Sequence, residues 1–127
     1  MLTVPQPGQV ASAVGGALRA ATPPSALICL THGIAIGAYQ AARDCGISVP
    51  DDVSVVSFGD SHLAPLLDPQ LTTVAVPYRE LARQAVEILL ATEKPFGARD
   101  VPMPLIERSS VARARYERAS GRELSSA

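Results

Sequence analysis

Two short stretches hold the side chains best suited to chemistry, Thr31-His32-Gly33 and Gly59-Asp60-Ser61-His62, and between them they contain both histidines of the chain. Imidazole, hydroxyl and carboxylate groups can move a proton, attack a carbonyl, hold a metal or hydrogen-bond a ligand. Asp60, Ser61 and His62 supply the residue types of a hydrolase triad, but neighbours on one loop rarely converge, and no G-x-S-x-G elbow exposes a serine. His32, His62 and Asp60 would chelate a metal only if the two stretches met, and no H-x3-H or similar pairing supports that. Cys29 and Cys45, the only two cysteines, lack CxxC or Cys/His ligand spacing. Cys29 reads as a small buried hydrophobe. Gly33-x-x-x-Gly37 falls within a helix, where packing explains it better than phosphate binding. No catalytic residue, metal ligand or cofactor is assigned, so the expectation is non-covalent binding and no enzyme.

Whether the two stretches can meet depends on the elements around them. Residues 8–21 read as a weak amphipathic helix with Val10, Val14, Leu18 and Ala21 on one stripe, and Gly15-Gly16 costs it about 1 kcal/mol per glycine relative to alanine. Residues 26–30, Ala-Leu-Ile-Cys-Leu, form an uninterrupted apolar run, as expected of a strand covered on both faces. From Ile34 the period changes: Ile34, Ala38, Ala41 and Cys45 share a helical face, and Gly46 supplies the stop. Residues 53–58 and 71–76 read as two further strands. Pro77 suits the first position of the next helix, over 78–91, whose Leu81, Ala82, Ala85, Val86, Ile88 and Leu89 form a broad apolar face. Residues 101–106 are extended, but Pro102 and Pro104 each remove a ladder donor and confine them to an edge strand or an irregular segment. Alternating strands and helices imply an α/β three-layer sandwich with a small, mostly parallel sheet. In such sheets ligands bind beyond the carboxyl ends of the strands, which is where positions 31–32 and 59–62 fall.

The 127 residues are 47% hydrophobic and 18% charged, which excludes a disordered chain. The length suits one domain that buries somewhat over ~65% of its extended surface. No apolar run approaches the ~18 residues of a membrane span, and MLTVPQPG has no basic region before an apolar stretch, so a cytoplasmic protein is expected. Residues 1–107 carry six basic and ten acidic side chains, net −4, and would repel a phosphate backbone. Residues 108–127 carry five basic and two acidic side chains, net +3; Arg108, Arg113, Arg115, Arg118 and Arg122 are interspersed with Glu117 and Glu123 and read as a solvated, frayed tail.

Several motifs together resemble the LacI/GalR transcriptional regulators. They are Ala35-Ile36-Gly37-Ala38, then Cys45-Gly46-Ile47-Ser48-Val49-Pro50-Asp51-Asp52-Val53-Ser54-Val55-Val56, Leu71-Thr72-Thr73-Val74 with Pro77 after it, and Leu105-Ile106-Glu107-Arg108-Ser109-Ser110. Their order matches the carboxyl-terminal part of that family's effector-binding module. The resemblance implies a fold like one lobe of a type I periplasmic binding protein, over residues 1–111, with 112–127 as a flexible tail and 77–97 as the segment that crosses to a second lobe. It further implies a sugar or related metabolite as effector, a homodimer, and DNA recognition through a helix-turn-helix that this chain lacks.

Carried over residue by residue, the resemblance assigns effector contacts to Thr31, His32, Gly59, Asp60, Ser61 and Val76. The family usually has Asn-Asp at Thr31-His32, Gly-Phe/Tyr-Asp-Asp at Ser57-Phe58-Gly59-Asp60, and often Gln at Val76, so three polar contacts differ here and a less hydroxyl-rich ligand is implied. Ile36, Tyr39 and Leu66 correspond to the dimer surface, with core packing as the alternative. The apolar face of 78–91 then needs cover, from another copy or by folding back on the sheet, because leaving it in water forgoes about 1.5–3 kcal/mol per large side chain. The alternative function is a dimerisation remnant that binds no ligand.

Overall fold

The computed structural model describes residues 7–91 and 97–114. Helix α1 (Pro7–Leu18) leads into strand β1 (Ala26–Cys29), helix α2 (His32–Asp44) and strand β2 (Ser54–Phe58). A 3-10 turn (Ala64–Leu66), strand β3 (Thr72–Val74), helix α3 (Tyr78–Leu90) and strand β4 (Leu105–Ile106) follow. The sheet order is β1-β2-β3-β4. β1, β2 and β3 run parallel, with Ala26 opposite Ser54 and Val56 opposite Thr72. β4 is antiparallel to β3, pairing Thr73 with Ile106, and lies at the edge where the prolines 102 and 104 require it.

α1 and α2 pack on each other and on one face of the sheet. Leu18, Ala41, Ala42 and Val53 form one buried cluster, and Cys29, Ala35, Ala38, Tyr39, Val55, Ala64 and Leu71 another, with Val14 and Leu27 touching both. The small alanines let α2 approach the strands closely. Gly15, a poor helix former, is buried where α1 meets the end of α2: a Cβ there would stand 3.3 Å from Arg19 and 3.8 Å from the Cys45 sulfur. The helix-weakening residue is thus what brings the two helices together. α2 ends as its Gly46 suggests. Gly46 takes φ +67°, its N–H donates to the Arg43 carbonyl, and the Ile47 N–H donates to that of Ala42, closing a Schellman motif.

Four expectations need correction. The run 26–30 is covered on one face only: Cys29 is buried, but Ile28 is 74% exposed and Leu30 nearly as much. Period-two alternation turns Leu27 and Cys29 to the helices and Ile28 away, and no helix among the described residues covers that second side. α3 does not fold back on the sheet. None of its residues is buried and Leu89 is 80% exposed. Pro77 stands just before α3 rather than at its first position.

The fourth correction concerns the residues after β4. Arg108, Ser109 and Ser110 are not part of a frayed tail. Ser110 is fully buried, accepts from the Thr72 N–H at 2.8 Å and donates to the Val55 carbonyl at 2.6 Å, joining β3 to β2. Farther on, the Ala112 N–H donates to the Ser54 hydroxyl at 3.1 Å. The expected tail over 112–127 lies outside the described residues from position 115 onward.

Candidate functional site

The carboxyl ends of β1 and β2 open on the same recess. Leu30, Thr31, His32, Phe58, Gly59, Asp60, Ser61 and Tyr78 line it, around a volume of about 260 Å³. Parallel pairing in register sets this arrangement: Cys29 and Ser57 are partners, so the chain leaves both strands at one level and the following residues come side by side.

Each wall residue is fixed by local structure. Thr31 is the N-cap of α2, in extended conformation, with its hydroxyl accepting from the Ile34 N–H at 3.4 Å. His32 is therefore the first helical residue. Its Nε2 is shut off from solvent and has no hydrogen-bond partner, a state that costs free energy until a partner arrives. Gly59 takes φ +82°, a conformation that side chains resist. A Cβ at that position would stand 3.2 Å from His32 Cε1 and 3.8 Å from the Tyr78 hydroxyl. Glycine therefore lets the β2 loop pass close beside the imidazole. Its N–H donates to the Val74 carbonyl at 2.8 Å, tying the loop to β3.

Asp60 is held from behind. Arg108 Nη1 lies 2.9 Å from its Oδ1, and the Thr73 hydroxyl donates to the same oxygen at 2.7 Å. Hydrogen bonds from Arg108, then Thr73, hold this carboxyl below the ordinary aspartate range. Arg108 also donates to the Leu71 carbonyl at 2.8 Å and the Thr73 hydroxyl at 3.1 Å. Ser61 accepts from the Leu63 N–H at 3.2 Å.

Five of the six residues assigned to effector contact, Thr31, His32, Gly59, Asp60 and Ser61, thus line one recess. Val76 does not line it; its carbonyl accepts from the Tyr78 N–H at 2.9 Å. His62 is exposed on the turn beyond and is not in the wall. Among the described residues no three of the His, Cys, Asp and Glu side chains gather as metal ligands. Of the residues assigned to a dimer surface, Tyr39 is core: it is buried, its hydroxyl donates to the Pro69 carbonyl at 2.9 Å, and burial pushes its pKa up to about 12. Ile36 and Leu66 are exposed.

Tyr78, Phe58, Leu30 and Arg108 are the site residues that sequence reasoning missed. Tyr78 had a usable signal, since it follows β3 just as His32 follows β1, on the same rim. Arg108 stood in the motif Leu105-Ile106-Glu107-Arg108-Ser109-Ser110, but its role was not read, because its partner lies 48 positions away and by charge it resembles the tail that follows.

The comparisons agree with this fold. Residues 3–111 match the model of the periplasmic binding protein-like domain. The chain is 41% identical over 98 residues to the HTH-type transcriptional regulator MalR of Streptomyces coelicolor, covering 74% of this chain and 28% of that protein. It is 43% identical over 67 residues to the ribose operon repressor of Haemophilus influenzae, covering 53% of this chain and 20% of the repressor. Among solved structures, a LacI family regulator from Bifidobacterium animalis superposes with a TM-score of 0.81 at 29% identity, over 90% of this chain and 43% of that one. A LacI family regulator from Arthrobacter in complex with lactose gives 0.72 at 26%, over 84% and 42%. The chain therefore spans about a fifth to just over a quarter of these curated relatives and under half of the solved chains.

Proposed function

This chain belongs to the periplasmic binding protein-like family of the LacI-type transcriptional regulators, and from that premise we propose that it is a lobe that senses a small-molecule effector. The observation that carries the reading is the convergence of Thr31-His32 and Gly59-Asp60-Ser61 on one recess beyond parallel strand ends. The effector, a sugar or related metabolite, is held there without covalent chemistry, and α3, whose residues are all unburied, belongs to the segment that serves a second lobe. The lobe is assigned to residues 1–111.

The same reading makes the protein cytoplasmic and homodimeric, with Ile36 and Leu66 at the subunit contact. Support for the contact is the exposure of both side chains beside a shallow groove lined by Ile36, Tyr39, Gln40 and Leu67. DNA recognition belongs to another part of such regulators; the net charge of −4 over residues 1–107 disfavours it here. No helix among the described residues is long and apolar enough to cross a membrane.

A thermal-shift and calorimetric screen of sugars, nucleosides and polyols tests the proposal. A true effector stabilises the chain by mass action, about 2.7 kcal/mol at a hundredfold excess over its Kd, and His32→Ala abolishes the gain. A flat screen leaves the alternative of a dimerisation module without a ligand.

A further inference from the structure

We infer that a second copy of this chain covers the bare face of the sheet with its α3, in a reciprocal pair that exchanges the two helices. The inference goes beyond the effector-sensing reading and does not rest on it. Strand register defines the surface. Ile28 stands beside Val56, Phe58 beside Val74, and Val74 beside Leu105, all on the side of the sheet that α1 and α2 leave uncovered. Ile28, Phe58 and Leu105 are exposed there, and Val56, Leu105 and Val111 line a groove of about 430 Å³. The hydroxyls of this face are already engaged. Ser54 exchanges hydrogen bonds with the Ala112 main chain, and Thr72 accepts from the Arg108 N–H at 2.9 Å. What the face offers a partner is therefore apolar.

α3 has the complementary surface. Leu81, Ala85, Ile88 and Leu89 recur at helical spacing along one side, with Val86 at its margin. On the other side Arg83 bonds to both Glu80 and Glu87, and Gln84 donates to Glu80, so the polar face is closed upon itself. A tight turn holds the helix off its own sheet: Pro77, at φ −80° and ψ 67°, centres an inverse γ-turn closed by the Tyr78 N–H and the Val76 carbonyl at 2.9 Å. Each copy thus presents one bare helix face and one bare sheet face. A two-fold pair fills both at once, and exchange of one element between identical chains is a low-cost route to a dimer; an unrelated partner fills one and leaves the other in water. The area suffices. With roughly 100 Å² withdrawn per large apolar side chain, burial of these residues on both copies covers on the order of 1,500 Å², within the ~1,200–2,000 Å² of a specific stable interface. The helix that the reading above gives to a second lobe thereby finds its cover in the second copy.

Sedimentation equilibrium tests the inference on the full chain carrying Leu66→Arg, which takes the contact proposed above at Ile36 and Leu66 out of the measurement. Leu89→Arg and Ile28→Arg are then added singly. All three side chains stand largely in water, so the variants keep the fold, which circular dichroism verifies. We expect the Leu66→Arg chain to be dimeric and either added arginine to make it monomeric, because both contacts of such a homodimer would bury a charge. Mixing the Leu89→Arg and Ile28→Arg chains restores a dimer, since the unaltered helix of one still meets the unaltered sheet face of the other. A monomeric Leu66→Arg chain overturns the inference, as does a dimer that either added arginine leaves intact or a mixture that stays monomeric. Open oligomers that grow with concentration overturn it too, because a reciprocal pair is closed. None of these results bears on the sensor reading, which the ligand screen decides.

Discussion

Arg108 and Asp60 are joined across 2.9 Å, so the segment after the last strand grips the loop that follows the second. The guanidinium is largely sheltered, at 14% side-chain exposure, and the carboxylate less so, at 31%. With Thr73 in the same cluster, the ion pair fixes one wall of the recess. Arg108→Ala removes the pair and the Leu71 carbonyl's donor together. We expect a loss of about 1–2 kcal/mol in urea unfolding and weaker binding of any ligand of the recess.

The pair gives stability a pH dependence of defined sign. Asp60 has its carboxyl pKa lowered from 3.8 by the hydrogen bonds of Arg108 and Thr73. A group whose pKa falls on folding stabilises the native state fully above its unfolded value and loses that contribution as pH drops through the lower folded value. The Asp60 contribution should therefore be constant from neutrality to about pH 4 and decline below that. Asp60→Asn removes this component, so the gap between wild type and variant closes as the acid titration proceeds.

Gly59→Ala puts a methyl group 3.2 Å from His32 Cε1 at a φ of +82°. Left-handed backbone alone costs a non-glycine residue about 1–2 kcal/mol, and the imidazole must shift as well. We expect a drop in stability of that size by thermal unfolding, together with a displaced His32 signal in NMR. Unchanged stability would mean that the loop reaches the recess by another path.

Ser110→Ala leaves the buried Thr72 N–H without its acceptor, a defect worth about 1–3 kcal/mol, and denaturant unfolding should show it.

α3 sets up a contrast. Leu71, fully buried, should cost about 2–5 kcal/mol as alanine. Leu89, almost wholly in water, should stay within about ±0.5 kcal/mol in a monomeric sample. If Leu89→Ala destabilises at high protein concentration and not at low, a second copy covers the helix; hydrogen exchange along α3 in the two samples reads the same difference.

The legible parts of this fold were those that local chemistry dictates. Gly46 ends a helix because it tolerates positive φ, and two apolar runs ending in polar residues place His32 and Asp60 on one rim, whereas the start of α2 at His32, capped by Thr31, lies ahead of the Ile34 from which the period was read. Periodicity could not say what lies on each side of a strand: Ala26–Cys29 is as apolar as a doubly covered strand, yet Ile28 faces away from both packing helices. Nor could charge distinguish Arg108 from Arg113. Charge alone does not say which distant partner an arginine takes; for Arg108 it is Asp60.

The assignment of the recess is tested most directly by mapping a ligand from the screen onto backbone amides by 15N NMR titration. We expect Thr31, His32, Gly59, Asp60 and Ser61 to shift together along one saturation curve. Saturating shifts around Ile36 and Leu66, or over the Ile28 side of the sheet, with positions 31–32 and 59–61 unmoved, would contradict it.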